Sequence, residues 1–270
     1  MTFAERRVPV YEKSVADVKF IEGDYEAAAQ MYLDGARDGD PLAALNYGYL
    51  LWRGLGVPYN PREAKSFFSY AKNLHGGEAC YNLAMLYMHG EGVTRDYRRA
   101  VEYLSISAGL DCIEAQLYLG MAYTSGCVFE PDIVGIKMIP CHTPEYRDEI
   151  LMLDGDIPDF ELDEELRYSA IKQDPRRAFE WFRTAARHDT SYVEELVAKG
   201  KFLYARCYVD GLGTDFDRDR SVRLMFAAQR SGSAEAAAYI AENGLTPEML
   251  EQAAPPSRRL GYGKYKYGKW

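Results

Sequence analysis

A repeat of constant length constrains this chain more than any other feature. Ala43-Ala-Leu-Asn-Tyr-Gly-Tyr-Leu-Leu-Trp-Arg-Gly-Leu-Gly-Val57 lies in register with Ala79-Cys-Tyr-Asn-Leu-Ala-Met-Leu-Tyr-Met-His-Gly-Glu-Gly-Val93, and Ala79 stands 36 residues after Ala43. The same step leads to Ala115-Gln-Leu-Tyr-Leu-Gly-Met-Ala-Tyr-Thr-Ser-Gly126, and a fourth copy runs from Gly200 to Gly213. A period of this size reads as a stack of supersecondary units, each too small to bury its apolar face alone.

The second half of each unit aligns as well. One column holds Asp24, Asn60, Asp96, Asp174 and Asp217, residue types that cap helix N-termini. Four positions on stand Ala28, Ala64, Ala100, Ala178 and Ser221; three further, Met31, Phe67, Tyr103, Trp181 and Leu224; four beyond, Gly35, Ala71, Ser107, Ala185 and Ala228. A cap followed by small, large and small residues at these spacings predicts one face of a helix, with the large column filling the gap beside a close helix–helix approach. Pro61 and Pro175 sit at the first helical position, and Glu63 can complete a capping box with Asn60. The pairs Gly54/Gly56, Gly90/Gly92 and Gly211/Gly213 end the first helix of a unit, because glycine tolerates positive φ.

The pattern Ala-x-x-Asn-Leu-Gly-x-x-Tyr-x-x-Gly-x-Gly-Val, followed by Asp-x-x-x-Ala-x-x-Tyr, resembles the Sel1-like repeat, a relative of the tetratricopeptide repeat. The resemblance covers about residues 40–243 and implies an all-α fold, a right-handed α-solenoid of antiparallel helix pairs. It also implies an adaptor role without a universal catalytic residue; fold carries function only by class. Residues 1–39, with Phe20-Ile-Glu-Gly-Asp-Tyr-Glu-Ala-Ala-Ala, look like a tetratricopeptide hairpin. A lone helix is expected from Ser233 to Asn243, and a short terminal helix within 244–257, where Thr246-Pro247 opens it.

Two segments break the regularity. The cap column jumps from Asp96 to Asp174, which places an insertion of about 42 residues, roughly 130–171, inside the third unit. Over residues 130–165, twelve Asp and Glu stand against Lys137 and Arg147, a net −10. Asp132–Cys141 can form a strand or packed arm; Asp156–Leu166 alternates acidic and apolar residues. Loops of this length are tolerated cheaply and are often functional. The tail, 258–270, is basic with net +5 and reads as disordered, with Tyr262, Lys264, Tyr265, Lys266, Tyr267 and Trp270 interleaved. That composition suits a nucleic-acid strand, a membrane surface or an acidic protein groove, and equally a solubilising tail.

Net charge −9 and pI near 5.1 argue against a body that coats nucleic acid. No apolar run reaches the length of a membrane span, and the start lacks the apolar core of a signal peptide. Five irregularly spaced cysteines fit reduced thiols in a cytoplasm. The four histidines have no metal spacing, Cys141-His142 are adjacent and poorly placed for a dyad, and Ser69-Tyr-Ala-Lys72 lacks the other motifs of penicillin-recognising enzymes. No catalytic residue, metal or cofactor is expected.

Function therefore falls to the concave side. The buried stripe of the first helices runs through Ala43, Tyr47, Leu50 and Leu51, and through Ala79, Leu83, Leu86 and Tyr87. The opposite stripe predicts a partner-binding groove lined by Asn46, Tyr49, Arg53, Asn82, Met85, His89, Tyr118, Met121 and Arg206. Asn46 and Asn82, one unit apart, can hydrogen-bond a peptide backbone through donor and acceptor alike, or else brace the helix pair. The expectation is a non-enzymatic scaffold for a peptide or partner protein. The alternatives are an enzyme or enzyme regulator working through the acidic insertion, or nucleic-acid binding through the tail.

Overall fold

The computed structural model describes residues 14–73, 76–128, 170–188 and 194–252, and among these every regular element is a helix. The chain divides into two compact units, Met1–Asp174 and Pro175–Trp270. The first holds α1 (Val15–Ile21), α2 (Tyr25–Arg37), α3 (Pro41–Arg53), α4 (Pro61–Ala71), α5 (Gly76–His89), α6 (Tyr97–Gly109) and α7 (Ile113–Ser125). The second holds α8 (Pro175–Ala185), α9 (Glu194–Asp210), α10 (Arg218–Arg230), α11 (Ala234–Glu242) and α12 (Pro247–Gln252). Within each unit successive helices pack as antiparallel pairs, the architecture of an α-solenoid. The acidic insertion, the Cys141-His142 pair and the basic tail lie outside the described residues.

The capping column does what its chemistry predicts. Carboxylate or amide oxygens of Asp24, Asn60, Asp96 and Asp217 accept the backbone N–H three residues on, at 3.4, 3.2, 3.0 and 2.9 Å. Glu63 does not close a capping box on the Asn60 backbone. That N–H is already donated to the Leu51 carbonyl at 2.8 Å, and the Glu63 carboxylate accepts from the Asn60 side-chain amide instead. The same backbone bond recurs from Asp96 to Tyr87, Asp174 to Tyr123 and Asp217 to Tyr208. It ties the start of each second helix to the end of the first.

The long insertion leaves this connection intact. In the uninterrupted units, Gly54 and Gly90 lie against the backbone of Tyr59 and Arg95, each the residue before a cap. Gly126 lies in the same way against Gln173, the residue before Asp174, and the Gln173 side chain donates to the Thr124 carbonyl at 3.0 Å. The chain thus departs and returns at one point within the first unit, and a long loop closed this way costs little.

The small columns are buried as expected: Ala28, Ala64, Ala100 and Ala178 expose nothing, nor do Ala71, Ser107, Ala185 and Ala228. The large column between them is not the core. Met31 is exposed, and Phe67, Tyr103, Trp181 and Leu224 are only partly buried. The buried large side chains stand one residue later, at Tyr32, Phe68, Leu104, Phe182 and Met225. Helix geometry explains the correction. Positions four, eight and eleven after the cap form the i, i+4, i+7 stripe, and position seven falls at its edge. Edge residues still touch the first helices, as in Phe67 on Tyr47 (centroids 4.9 Å, edge-on).

Two fully buried polar side chains of the first unit are matched. Ser107, fully buried on α6, donates to the Gly77 carbonyl on α5 at 2.7 Å. Gln116, equally buried on α7, donates to the Ala108 carbonyl and to Asp111, whose φ of 71° is the left-handed conformation. Ser107→Ala is expected to cost about 1–2 kcal/mol by removing a buried hydrogen bond. Urea denaturation measures it, and an unshifted midpoint would show that bond to be worthless.

Candidate partner-binding face

The first helices present two faces to different neighbours. Their predicted inner stripe is buried: Ala43, Tyr47, Leu50 and Leu51 on α3, and Ala79, Leu83, Leu86 and Tyr87 on α5. On the other face Asn46, Tyr49 and Arg53 of α3, and Asn82 and His89 of α5, are partly exposed. Neither Asn46 nor Asn82 has a side-chain hydrogen-bond partner among the described residues. A bracing role would require one, so both amides keep their donors and acceptor for water or a ligand.

Three residues expected beside them are elsewhere. Met85, Tyr118 and Met121 are only 3%, 1% and 2% exposed, and the Tyr118 hydroxyl donates to the Met88 sulfur at 3.7 Å. The reason lies in α7. From Ile113 to Ala122 only Glu114 escapes full burial, and a helix that is apolar all round is covered all round. The signal was present in Ile-Glu-Ala-Gln-Leu-Tyr-Leu-Gly-Met-Ala, where alignment by column hid it. Arg206 belongs to the second unit, where its guanidinium forks onto Asp210 (3.1 and 2.9 Å) and lies 5.6 Å from the Tyr239 ring. The tail residues Tyr262, Lys264, Tyr265, Lys266, Tyr267 and Trp270 lie outside the described residues.

Beside Asn46 the sequence reading missed an aromatic run. Phe20, Tyr49, Trp52 and Phe68 follow one another edge-on, with centroids 6.4, 6.4 and 6.2 Å apart. The Arg53 guanidinium lies 5.6 Å from the Trp52 ring. The Trp52 indole N–H donates to the Glu91 carboxylate, which comes from the Gly90–Gly92 turn of the following unit. Burial, and then the charge of Glu91, raise the Tyr59 phenol above its ordinary pKa, which places a third group at this junction. The junction therefore ties α3 to the turn of the following unit, next to Tyr49.

Chemistry is scarce on these surfaces. The Ser69 hydroxyl donates to the Lys65 carbonyl of its own helix at 2.8 Å. Cys80, Cys112, Cys127 and Cys207 are buried free thiols; burial pushes Cys112 and Cys207 up to about 12, so neither is a thiolate nucleophile at neutral pH. Among the described residues no group of three His, Cys, Asp or Glu could hold a metal, and no helix is long and apolar enough to cross a membrane.

The chain matches the family model described as Sel1 repeat in four stretches, residues 41–75, 77–112, 166–189 and 198–232. The human protein sel-1 homolog 2 is 32% identical over 100 residues, 37% of this chain. The match spans only 14% of that relative's length. The crystal structure of a Sel1 repeat protein from Oxalobacter formigenes is similar with TM-score 0.60 and 19% identity, over 84% of this chain and 73% of that one. That likeness concerns the fold alone. A protective antigen of uropathogenic Escherichia coli displaying an SLR fold aligns over 87% of this chain and 57% of that one, at 18% identity and TM-score 0.38.

Proposed function

Because the chain belongs to the Sel1-repeat family, whose repeats generally mediate protein–protein interaction, we propose that it is a non-enzymatic adaptor. It holds an extended segment of a partner protein along the exposed face of α3 and α5. One observation carries the reading: Asn46 and Asn82 recur one unit apart, partly exposed, with no intramolecular hydrogen bond among the described residues. An extended backbone offers alternating N–H and C=O groups, and a side-chain amide serves both. Tyr49, Arg53 and His89 flank the asparagines and supply apolar and charged contact. Met85, Tyr118 and Met121 are left out of this surface because they are buried.

The double substitution Asn46→Ala/Asn82→Ala tests it. Two amides at about 1 kcal/mol of net hydrogen bonding each correspond to a roughly 30-fold weaker Kd. Affinity purification with the wild type identifies the partner, and titration of that partner into the variant reads the loss. Thermal stability should change little, since neither amide has an internal partner to lose. Unchanged affinity with intact helicity removes this face from the binding site.

A further inference from the structure

The second helices α4 and α6 each carry a net positive charge in a chain of net charge −9. α4 carries Arg62 and Lys65 against Glu63, and α6 carries Arg98 and Arg99 against Glu102. Three cations from these helices and their ends converge on two stacked phenol rings. Tyr87 of α5 and Tyr103 of α6 lie with centroids 5.7 Å apart and planes 12° from parallel. The Lys65 ammonium is 5.6 Å and the Arg99 guanidinium 5.5 Å from the centroid of Tyr87. Lys72, the C-cap of α4, places its ammonium 5.9 Å from the centroid of Tyr103.

The charges in this seam are incompletely balanced. Arg99 has Asp96 at 3.4 Å, an exposed i,i+3 pair, and donates to the Tyr87 hydroxyl at 3.4 Å. Among the described residues Lys65 and Lys72 have no carboxylate within ion-pair distance. Burial works to raise the Tyr87 phenol, but hydrogen bonds from Arg99 and Lys65 outweigh it and lower the pKa. The second unit repeats the motif on its own residues, with Arg220 4.9 Å from the centroid of Tyr208.

We propose that the seam of α4, α5 and α6 is a second binding surface, which takes a short acidic peptide of a partner protein on Lys65, Lys72 and Arg99. Charge complementarity selects the occupant. Cations resting on aromatic rings are already ordered, so pairing them with carboxylates costs less rotamer freedom than on a bare surface. At physiological salt, charges separated by more than about 8 Å are screened. A peptide carrying a few carboxylates therefore responds to the charges of this patch rather than to the net charge of the whole chain. A nucleic acid strand, charged along its whole length, gains less from three cations than from the extended basic track it needs. This surface shares no residue with the asparagine face, so either can fail without the other.

The experiment is fluorescence anisotropy of fluorescein-labelled octaglutamate titrated with the full chain. The wild type is expected to bind, more weakly as salt is raised, and Lys65→Gln/Arg99→Gln to weaken binding about 10-fold. The charge-preserving Lys65→Arg/Arg99→Lys and the Asn46→Ala/Asn82→Ala variant should both keep it. If the glutamine pair fails to fold by circular dichroism, Lys72→Gln alone, at an exposed helix end, should weaken binding about threefold. No binding by the wild type overturns the proposal, as does binding indifferent to these glutamine substitutions. Displacement of the peptide by an octathymidylate at equal or lower concentration overturns it in favour of nucleic acid.

Discussion

Gly92→Ala is expected to destabilise the first unit by about 2–5 kcal/mol. Two effects add at this position. Gly92 holds φ at 67°, where a side chain costs about 1–2 kcal/mol. Its Cβ would also stand 2.5 Å from the Arg62 nitrogen and 2.6 Å from the Pro61 carbonyl carbon, backbone atoms at the start of α4 that cannot swing aside. Overpacking of that kind adds about 1–3 kcal/mol. The contact is systematic: a Cβ on Gly56 would meet the Tyr25 backbone at 2.3 Å, and one on Gly213 the Pro175 carbonyl oxygen at 2.0 Å. In all three the second glycine of the turn rests on the first residues of the preceding second helix. Gly244→Ala is the control, because Gly244 has φ of 60° and open space around it, and should cost only about 1–2 kcal/mol. Thermal melts followed by circular dichroism should separate the two variants by roughly 5–10 °C. Equal melting temperatures would show that the turn does not need its close approach.

Phe68→Ala is expected to cost a further 3–5 kcal/mol, since the ring is fully buried. Its neighbour makes the prediction sharper. A Cβ on Gly48 would stand 2.9 and 3.0 Å from two carbons of that ring, so Gly48→Ala displaces it and costs about 1–3 kcal/mol alone. With Phe68 already truncated the two closest contacts are gone and only the Phe67 Cβ, at 3.2 Å, still crowds the added methyl. The double variant should therefore be more stable than the sum of the singles by at least ~1 kcal/mol. Urea denaturation of the four proteins measures this coupling, and strict additivity would mean the ring does not bear on Gly48. The Trp52 ring packs on Phe68, so loosening this core should also disturb the indole bond to Glu91.

On these proposals two surfaces divide the work of binding between them. The asparagine face on α3 and α5 suits a backbone, which varies little between partners. The cation–tyrosine seam suits side-chain charge, which does vary. A partner that uses both would gain affinity through linkage, provided its segments span the two.

The repeat, its helix caps and its turning glycines were determined by sequence alone, because each depends on groups at most four or five residues apart. Asp96 caps α6 and Gly90 ends α5 whatever packs on them. The opposite was true of every feature that depends on a neighbouring unit. Tyr103 read as the large residue of its helix face, and only the stacking of helices makes its neighbour Leu104 the buried one. Asn46 and Tyr118 occupy equivalent columns, yet one is partly exposed and the other covered. Glu91 reaches Trp52, and Lys65 shares a tyrosine ring with Arg99, across separations that no local pattern encodes. Periodicity therefore sufficed to identify the solenoid. Which of its faces remain open to a partner was decided by burial between units, a property of the packed stack.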